Sequence, residues 1–180
     1  VSLGGDTPRI VPAIIEIPKG EKVKYELDKP SGLLRVDRVL HSAVYYPANY
    51  GFIPQSYAKD HDPLDILVLG QEMVAPLAIV NAKPIGAMRL LDQGEEDDKI
   101  IAVHADDPEY AHYESIRELP PHRLTELRRF FEDYKALEHK AVIVDRFVDR
   151  KSAHRMIREA LAYYSESRDL LRAGRQPSSG

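Results

Sequence analysis

The apolar residues of this chain change period once, near Pro120-Pro121, and that single change restricts the folds open to it. Ahead of it they come in short, β-branched runs broken by turn chemistry; beyond it they recur at helical spacing. Residues 11–17 are apolar, and residues 23–27 alternate between apolar and charged side chains. Asp28-Lys29-Pro30-Ser31-Gly32 has the composition of a turn, so residues 23–27 and 33–40 read as a hairpin. Residues 66–69, 78–91 and 99–103 read as further strands, the long one bent or bulged at Pro84 and Gly86. After the proline pair, the spacing of Leu124, Leu127, Phe131, Tyr134 and Leu137 predicts an amphipathic helix. Residues 141–144 read as one more strand. Residues 152–172 read as a second helix, with Met156, Ile157, Ala160, Leu161 and Tyr164 on one face. This order predicts an α+β domain, mainly β: an antiparallel sheet or small barrel with two packed helices. There is no internal repeat and no linker. Residues 1–172 are therefore expected to form one domain, and the small, polar residues 173–180 a disordered tail.

Composition narrows the chemistry. Without cysteine there are no disulfides, zinc-thiolate sites or thiol nucleophiles, and a cytoplasmic location suits that absence. A net charge of -4 speaks against a nucleic-acid binder, which needs a basic surplus to neutralise phosphates. No apolar run approaches the roughly 20 residues of a spanning helix, and residues 1–10 show no signal-peptide pattern. Walker, Gly-x-Gly-x-x-Gly, Gly-x-Ser-x-Gly and His-Glu-x-x-His motifs are all missing, and the seven histidines have no metal-ligand spacing.

What stands out is acidic. Asp60-His61-Asp62-Pro63-Leu64-Asp65 puts three carboxylates where a loop enters an apolar strand. Hard divalent cations want several oxygen ligands, and clustered carboxylates supply them; a solvated acidic turn is the other reading. An EF-hand is excluded, because Leu64 and Gln71 stand where two of its ligands belong. A second cluster, Asp92, Glu95, Glu96, Asp97 and Asp98, is either an exposed loop or the partner of the first in a multi-metal site. Lys24, Glu26, Arg38, Tyr46, Tyr50, Lys99, Tyr134 and Lys135 are scattered among these acids, and Glu16 stands conspicuously among Ile14, Ile15 and Ile17. Carboxylates for cations together with Lys, Arg and Tyr donors for a polyanion are the parts phosphoryl transfer requires.

The same residues resemble the family I soluble inorganic pyrophosphatases. The resemblance rests on the Asp60–Asp65 run and on Glu16-Ile17-Pro18-Lys19-Gly20, Lys24-Tyr25-Glu26 and Val36-Asp37-Arg38. It rests also on Tyr46-Pro47-Ala48-Asn49-Tyr50-Gly51 and Phe130-Phe131-Glu132-Asp133-Tyr134-Lys135, in order along the chain. The wording of residues 107–134 is closest to plant-type and related members. The resemblance implies a closed, OB-like antiparallel barrel with two helices outside, and hydrolysis of inorganic diphosphate by metal-activated water. It implies several Mg2+ ions, with Asp60, Asp65, Asp92 and Asp97 as ligands and Glu16 and Glu26 acting mostly through water. Asp62 is then the general base. Lys24, Arg38, Tyr50, Lys99, Tyr134 and Lys135 grip phosphate, Lys24, Arg38 and Tyr50 counting also as catalytic, with Tyr46 in the surrounding shell. A homo-oligomer, a hexamer by this resemblance, is implied too, with no nucleic-acid or membrane partner. One residue departs from the pattern: His61 stands where the family most often has Gly, a position expected to need a positive φ.

Overall fold

The computed structural model describes residues 1–173; the expected disordered tail lies outside the described residues apart from Ala173, which closes the last helix. Among the described residues nine strands and two α-helices follow one another: β1 (Val11–Ile17), β2 (Val23–Asp28), β3 (Leu33–Val39), β4 (Asn49–Phe52), β5 (Asp65–Leu69), β6 (Ile79–Asp92), β7 (Glu95–Glu96), β8 (Lys99–His104), α1 (Pro121–Asp133), β9 (Val142–Asp149) and α2 (Arg150–Arg172). No helix among the described residues is long and apolar enough to cross a membrane.

Five strands close on themselves. β1 pairs with β4, β4 with β5, β5 with β8, β8 with β6, and β6 returns to β1 through Val11↔Ala82. The ring is the barrel the resemblance implied, antiparallel except at one seam, where β5 and β8 run parallel. A parallel seam needs a crossover; residues 70–98 provide it by way of β6 and β7. β6 is bent, as Pro84 and Gly86 foretold: its register with β8 shifts there, and its register with β9 shifts between Arg89 and Leu90. Those bends let one strand pair with β1, β8 and β9 in turn. β2 and β3 form a separate hairpin whose tip is the predicted turn.

Alternate residues of the barrel strands enter two cores. On β5, Leu67 and Leu69 join the cluster under α1, with Leu127, Phe130 and Phe131, while Ile66 and Val68 join the one under α2, with Ala153, Ile157 and Ala160. Burial on both faces explains why β5 and β8 read as unbroken apolar runs. The predicted α2 begins two residues early, because Asp149 caps it by accepting from the Ser152 N–H at 2.8 Å. The predicted stripe of α1 fails at its last member. The helix ends at Tyr134, the chain turns into a 3₁₀ segment (Ala136–Glu138), and Leu137 is left 63% exposed.

Candidate active site

Where the strand ends of β1, β4, β5 and β8 meet the β2–β3 hairpin, a cavity of about 470 Å³ opens. Its position follows from register. Asp65 and Lys99 are direct partners at the parallel β5–β8 seam, so the acidic loop before β5 and the acidic turn before β8 finish side by side. β1 brings Glu16, β2 brings Lys24 and Glu26, and β4 brings Tyr50. The end of β6 contributes Asp92, and the residues after α1 contribute Tyr134 and Lys135. With Asp60, Asp62, Asp97 and Tyr46, thirteen of the fourteen residues to which the resemblance gives a role line one cavity.

Arg38 is the one that does not. It lies opposite Lys24 in the hairpin register, but its guanidinium turns to Asp37 at 3.2 Å and Glu138 at 3.3 Å. Its Nε and Nη2 are buried with no well-directed hydrogen bond. Residues that the sequence did not single out also line the cavity, among them Lys29 and Gln93, and Glu95 of the second acidic cluster joins them. Lys29 reaches it because the hairpin tip folds over towards Asp62, 3.8 Å from the Lys29 ammonium. Its turn composition carried no sign of that approach.

The electrostatics are dominated by crowded carboxylates. Lys99 is almost fully buried and donates to Asp65 and to Asp97, each at 2.7 Å. Burial works against its charge, but these two carboxylates outweigh it and hold the ammonium well above its ordinary pKa. Tyr50 donates to the same oxygen of Asp65, and Lys135 pairs with Asp92. Burial, then the neighbouring acids, raise the Tyr50 phenol, so it remains a donor. Two acids have no such cation. Glu16 is pushed up to about 7, first by burial and then by Asp65 and Glu26, although the Leu27 N–H donates to it at 2.6 Å. Asp60 is pushed up to about 7 by burial and by Asp65 and Asp97, against the opposing Asp62 N–H.

Among the described residues no three acidic or imidazole side chains are gathered tightly enough to enclose an ion, and Lys99 lies between Asp65 and Asp97. The donor set nevertheless fits hard divalent cations. It consists of carboxylate oxygens, and two of its acids bear a burial cost that a nearby positive charge would relieve. His61 has φ +67°, the left-handed conformation expected where Gly is usual. Its imidazole is not in the cavity; it meets the Tyr57 hydroxyl at 3.3 Å.

Known proteins resemble this chain in sequence and in fold. The chain is 58% identical over 163 residues to soluble inorganic pyrophosphatase 2 of Chlamydomonas reinhardtii, covering 91% of this chain and 85% of that protein. It is 55% identical over 166 residues to a soluble inorganic pyrophosphatase of Solanum tuberosum, covering 92% and 79%. Among solved structures, the inorganic pyrophosphatase from Thermus thermophilus superposes with a TM-score of 0.89 at 38% identity, over 92% of this chain and 97% of that one. That from Helicobacter pylori gives 0.88 at 39% identity, over 92% and 98%. The model of the inorganic pyrophosphatase family matches residues 13–165, and with that span and those identities the chain belongs to the inorganic pyrophosphatase family.

Proposed function

We propose that this protein hydrolyses inorganic diphosphate to two orthophosphates with the aid of several Mg2+ ions. The observation that carries the reading is a single cavity in which Asp60, Asp65, Asp92, Asp97, Glu16 and Glu26 face Lys24, Lys99, Lys135 and the phenols of Tyr50 and Tyr134. Such a cavity suits a small, highly charged anion that arrives with its own cations.

Asp60, Asp65, Asp92 and Asp97 would hold the ions, with Glu16 and Glu26 assisting through water. Bound there, the ions would supply charge neutralisation of the diphosphate and a lowered pKa for water. The protein's own groups do the rest. Asp62, exposed at the mouth of the cavity, accepts the proton of the attacking water. Lys24 and Lys135 bind phosphate oxygens, each exchanging an internal carboxylate, Glu26 or Asp92, for substrate. Tyr50, Tyr134 and Lys99 orient the electrophilic phosphate from the floor, and the tilted Tyr46 ring, 5.4 Å from that of Tyr50, keeps that floor rigid and dry. Arg38 would serve from the hairpin by exchanging Asp37 and Glu138 for substrate. The resemblance also supports a homo-oligomer, with a hexamer as the proposed assembly, which sedimentation would size.

The decisive assay is phosphate release. With Mg2+ the protein should cleave diphosphate far faster than ATP, and chelator should abolish the reaction. Comparable rates on both substrates would instead assign it to a nucleotide or general phosphohydrolase.

A further inference from the structure

His61 is the residue by which this chain departs from its family's usual pattern, and the structure gives it a contact of its own. It sits between Asp60 and Asp62, both of which line the cavity, while its left-handed backbone sends the imidazole away from them. An L-residue with a Cβ resists that conformation, so something must hold it there. The backbone contributes a tight turn: the His61 N–H donates to the Ala58 carbonyl at 3.1 Å, and the Ala58 N–H to the Asp62 carbonyl at 2.8 Å. Beyond the turn, the imidazole meets the hydroxyl of Tyr57 through Nδ1 at 3.3 Å.

Tyr57 is itself fixed. It is buried, its N–H donates to the Ala160 carbonyl of α2 at 3.0 Å, and its ring lies 5.1 Å from that of Tyr163 on the same helix. No residue of α2 lines the cavity, so this contact is a route by which that helix acts on it. The other side-chain ties between this loop and the cavity rim are Lys59–Glu96 at 2.6 Å and Lys29–Asp62 at 3.8 Å. Both are exposed ion pairs, a class that constrains little.

We propose that Tyr57 and His61 form a strut from α2 that presets the Asp60–Asp62 turn, making both positioning residues for the cation-binding carboxylate of Asp60. This rests on the Mg2+-dependent reading above. Either group can donate in the Tyr57–His61 bond, so the strut does not depend on one protonation state. A preset turn avoids ordering the loop as the ion binds, and the saving should appear in metal affinity rather than in the chemical step.

The test uses the full chain carrying Tyr57→Phe, His61→Gly, or both. Tyr57→Phe keeps the buried ring, and His61→Gly relieves the left-handed backbone, so melting temperatures should hold or rise. Calorimetric titration with Mg2+ alone should show the dissociation constant raised about three- to ten-fold in each single variant, the scale of one lost hydrogen bond. The Mg2+ concentration for half-maximal diphosphate hydrolysis should rise in parallel, with kcat at saturating Mg2+ held within about two-fold. The double variant should be no worse than the weaker single one, since both remove the same contact. Amide exchange over residues 58–62 of the metal-free protein should quicken in both single variants. Unchanged Mg2+ affinity in Tyr57→Phe, or effects that multiply in the double variant, would overturn the strut. Weakened Mg2+ binding in the variants, where the wild type itself hydrolyses no diphosphate, would sink the proposed function and leave the strut standing.

Discussion

Asp62 is separated from its neighbours by its surroundings more than by its chemistry. Asp65 and Asp97 share a buried ammonium, and Asp60 is partly buried among other acids, whereas Asp62 is exposed and faces only Lys29 at 3.8 Å. A carboxylate free of close partners is suited to taking a proton. Asp62→Asn keeps the shape and one acceptor but cannot accept the proton. We expect kcat to fall by about 10²–10⁴, the usual worth of general-base assistance, with little change in Mg2+ or diphosphate affinity. The residual rate should climb with pH, as hydroxide replaces the missing base. A pH–rate profile with Mg2+ titrated at each pH checks this; metal affinity lost in proportion to rate would make Asp62 a ligand instead. At this scale the residues alone left a solvated turn and an exposed loop open, and it was their order along the chain, shared with a family, that predicted one cavity for them. Lys29 and Gln93 were not legible, since their presence at the cavity depends on how the hairpin and the β6–β7 turn fold over it. Arg38 was legible as a donor, but its turn towards Glu138 arises from a contact with a segment a hundred residues further along the chain.

At the scale of elements, β4 shows where local reading stops. Tyr46-Pro47-Ala48-Asn49-Tyr50-Gly51 has the composition of a turn, yet Asn49–Phe52 is a buried strand bonded to β1 and β5. Four residues are too few to show a period, and the strand exists because its neighbours template it. Its glycine has a tertiary purpose as well: a Cβ on Gly51 would lie 1.8 Å from the Ile14 carbonyl oxygen, beside the irregular register of β1. Gly51→Ala should therefore destabilise at or above the upper end of the roughly 1–3 kcal/mol typical of overpacking. It should also impair catalysis through Tyr50, and denaturant unfolding beside the diphosphate assay would show both. A fully stable variant would mean that β1 can shift away freely. β9 was legible only in its first residues, because the outward Asp145 and Arg146 hide a strand that runs on to Asp149 along β6. Barrel closure came from family likeness alone. Short apolar runs reveal strands but not their partners.

Over the whole molecule, the crowded cavity ties stability to pH and to cations. Glu16 and Asp60 rise from ordinary values of 4.5 and 3.8 to about 7. For a carboxylate raised on folding the sign is destabilising. Below the ordinary values both states hold the proton and there is no penalty; as pH rises towards 7 the unfolded chain ionises first, and above 7 the penalty is complete. Asp107 has the opposite sign. Burial raises it, but bonds from the Gln71 N–H and side chain and the Glu109 N–H outweigh burial and hold it below 3.8, so its stabilisation is lost only as pH falls below that value. His154, lowered by burial and by Arg150 and Arg158, favours the fold as pH rises through 6.5, so the cavity must be isolated by comparison. In chelator, wild type should lose melting temperature between about pH 5 and pH 8 relative to Glu16→Gln, and Mg2+ should remove the difference. Identical pH profiles for the two proteins would show that the cavity carries no such strain.

The barrel's closing seam has a consequence for how the molecule comes to exist. Val11 meets Ala82, and the parallel β5–β8 seam joins only once β6 has crossed between them. Both junctions are distant along the chain, so the loop-closure entropy falls due before much of the core can repay it. Folding of such a topology belongs to the slow, high-contact-order class, with rates of milliseconds to seconds rather than microseconds. Glu16 sits on one side of the closing seam and Asp97 on the far side of the crossover, so the cavity cannot assemble piecemeal. A nascent chain therefore has no partly formed cavity with which to capture metal, and tight cation binding becomes a signal that the ring has shut.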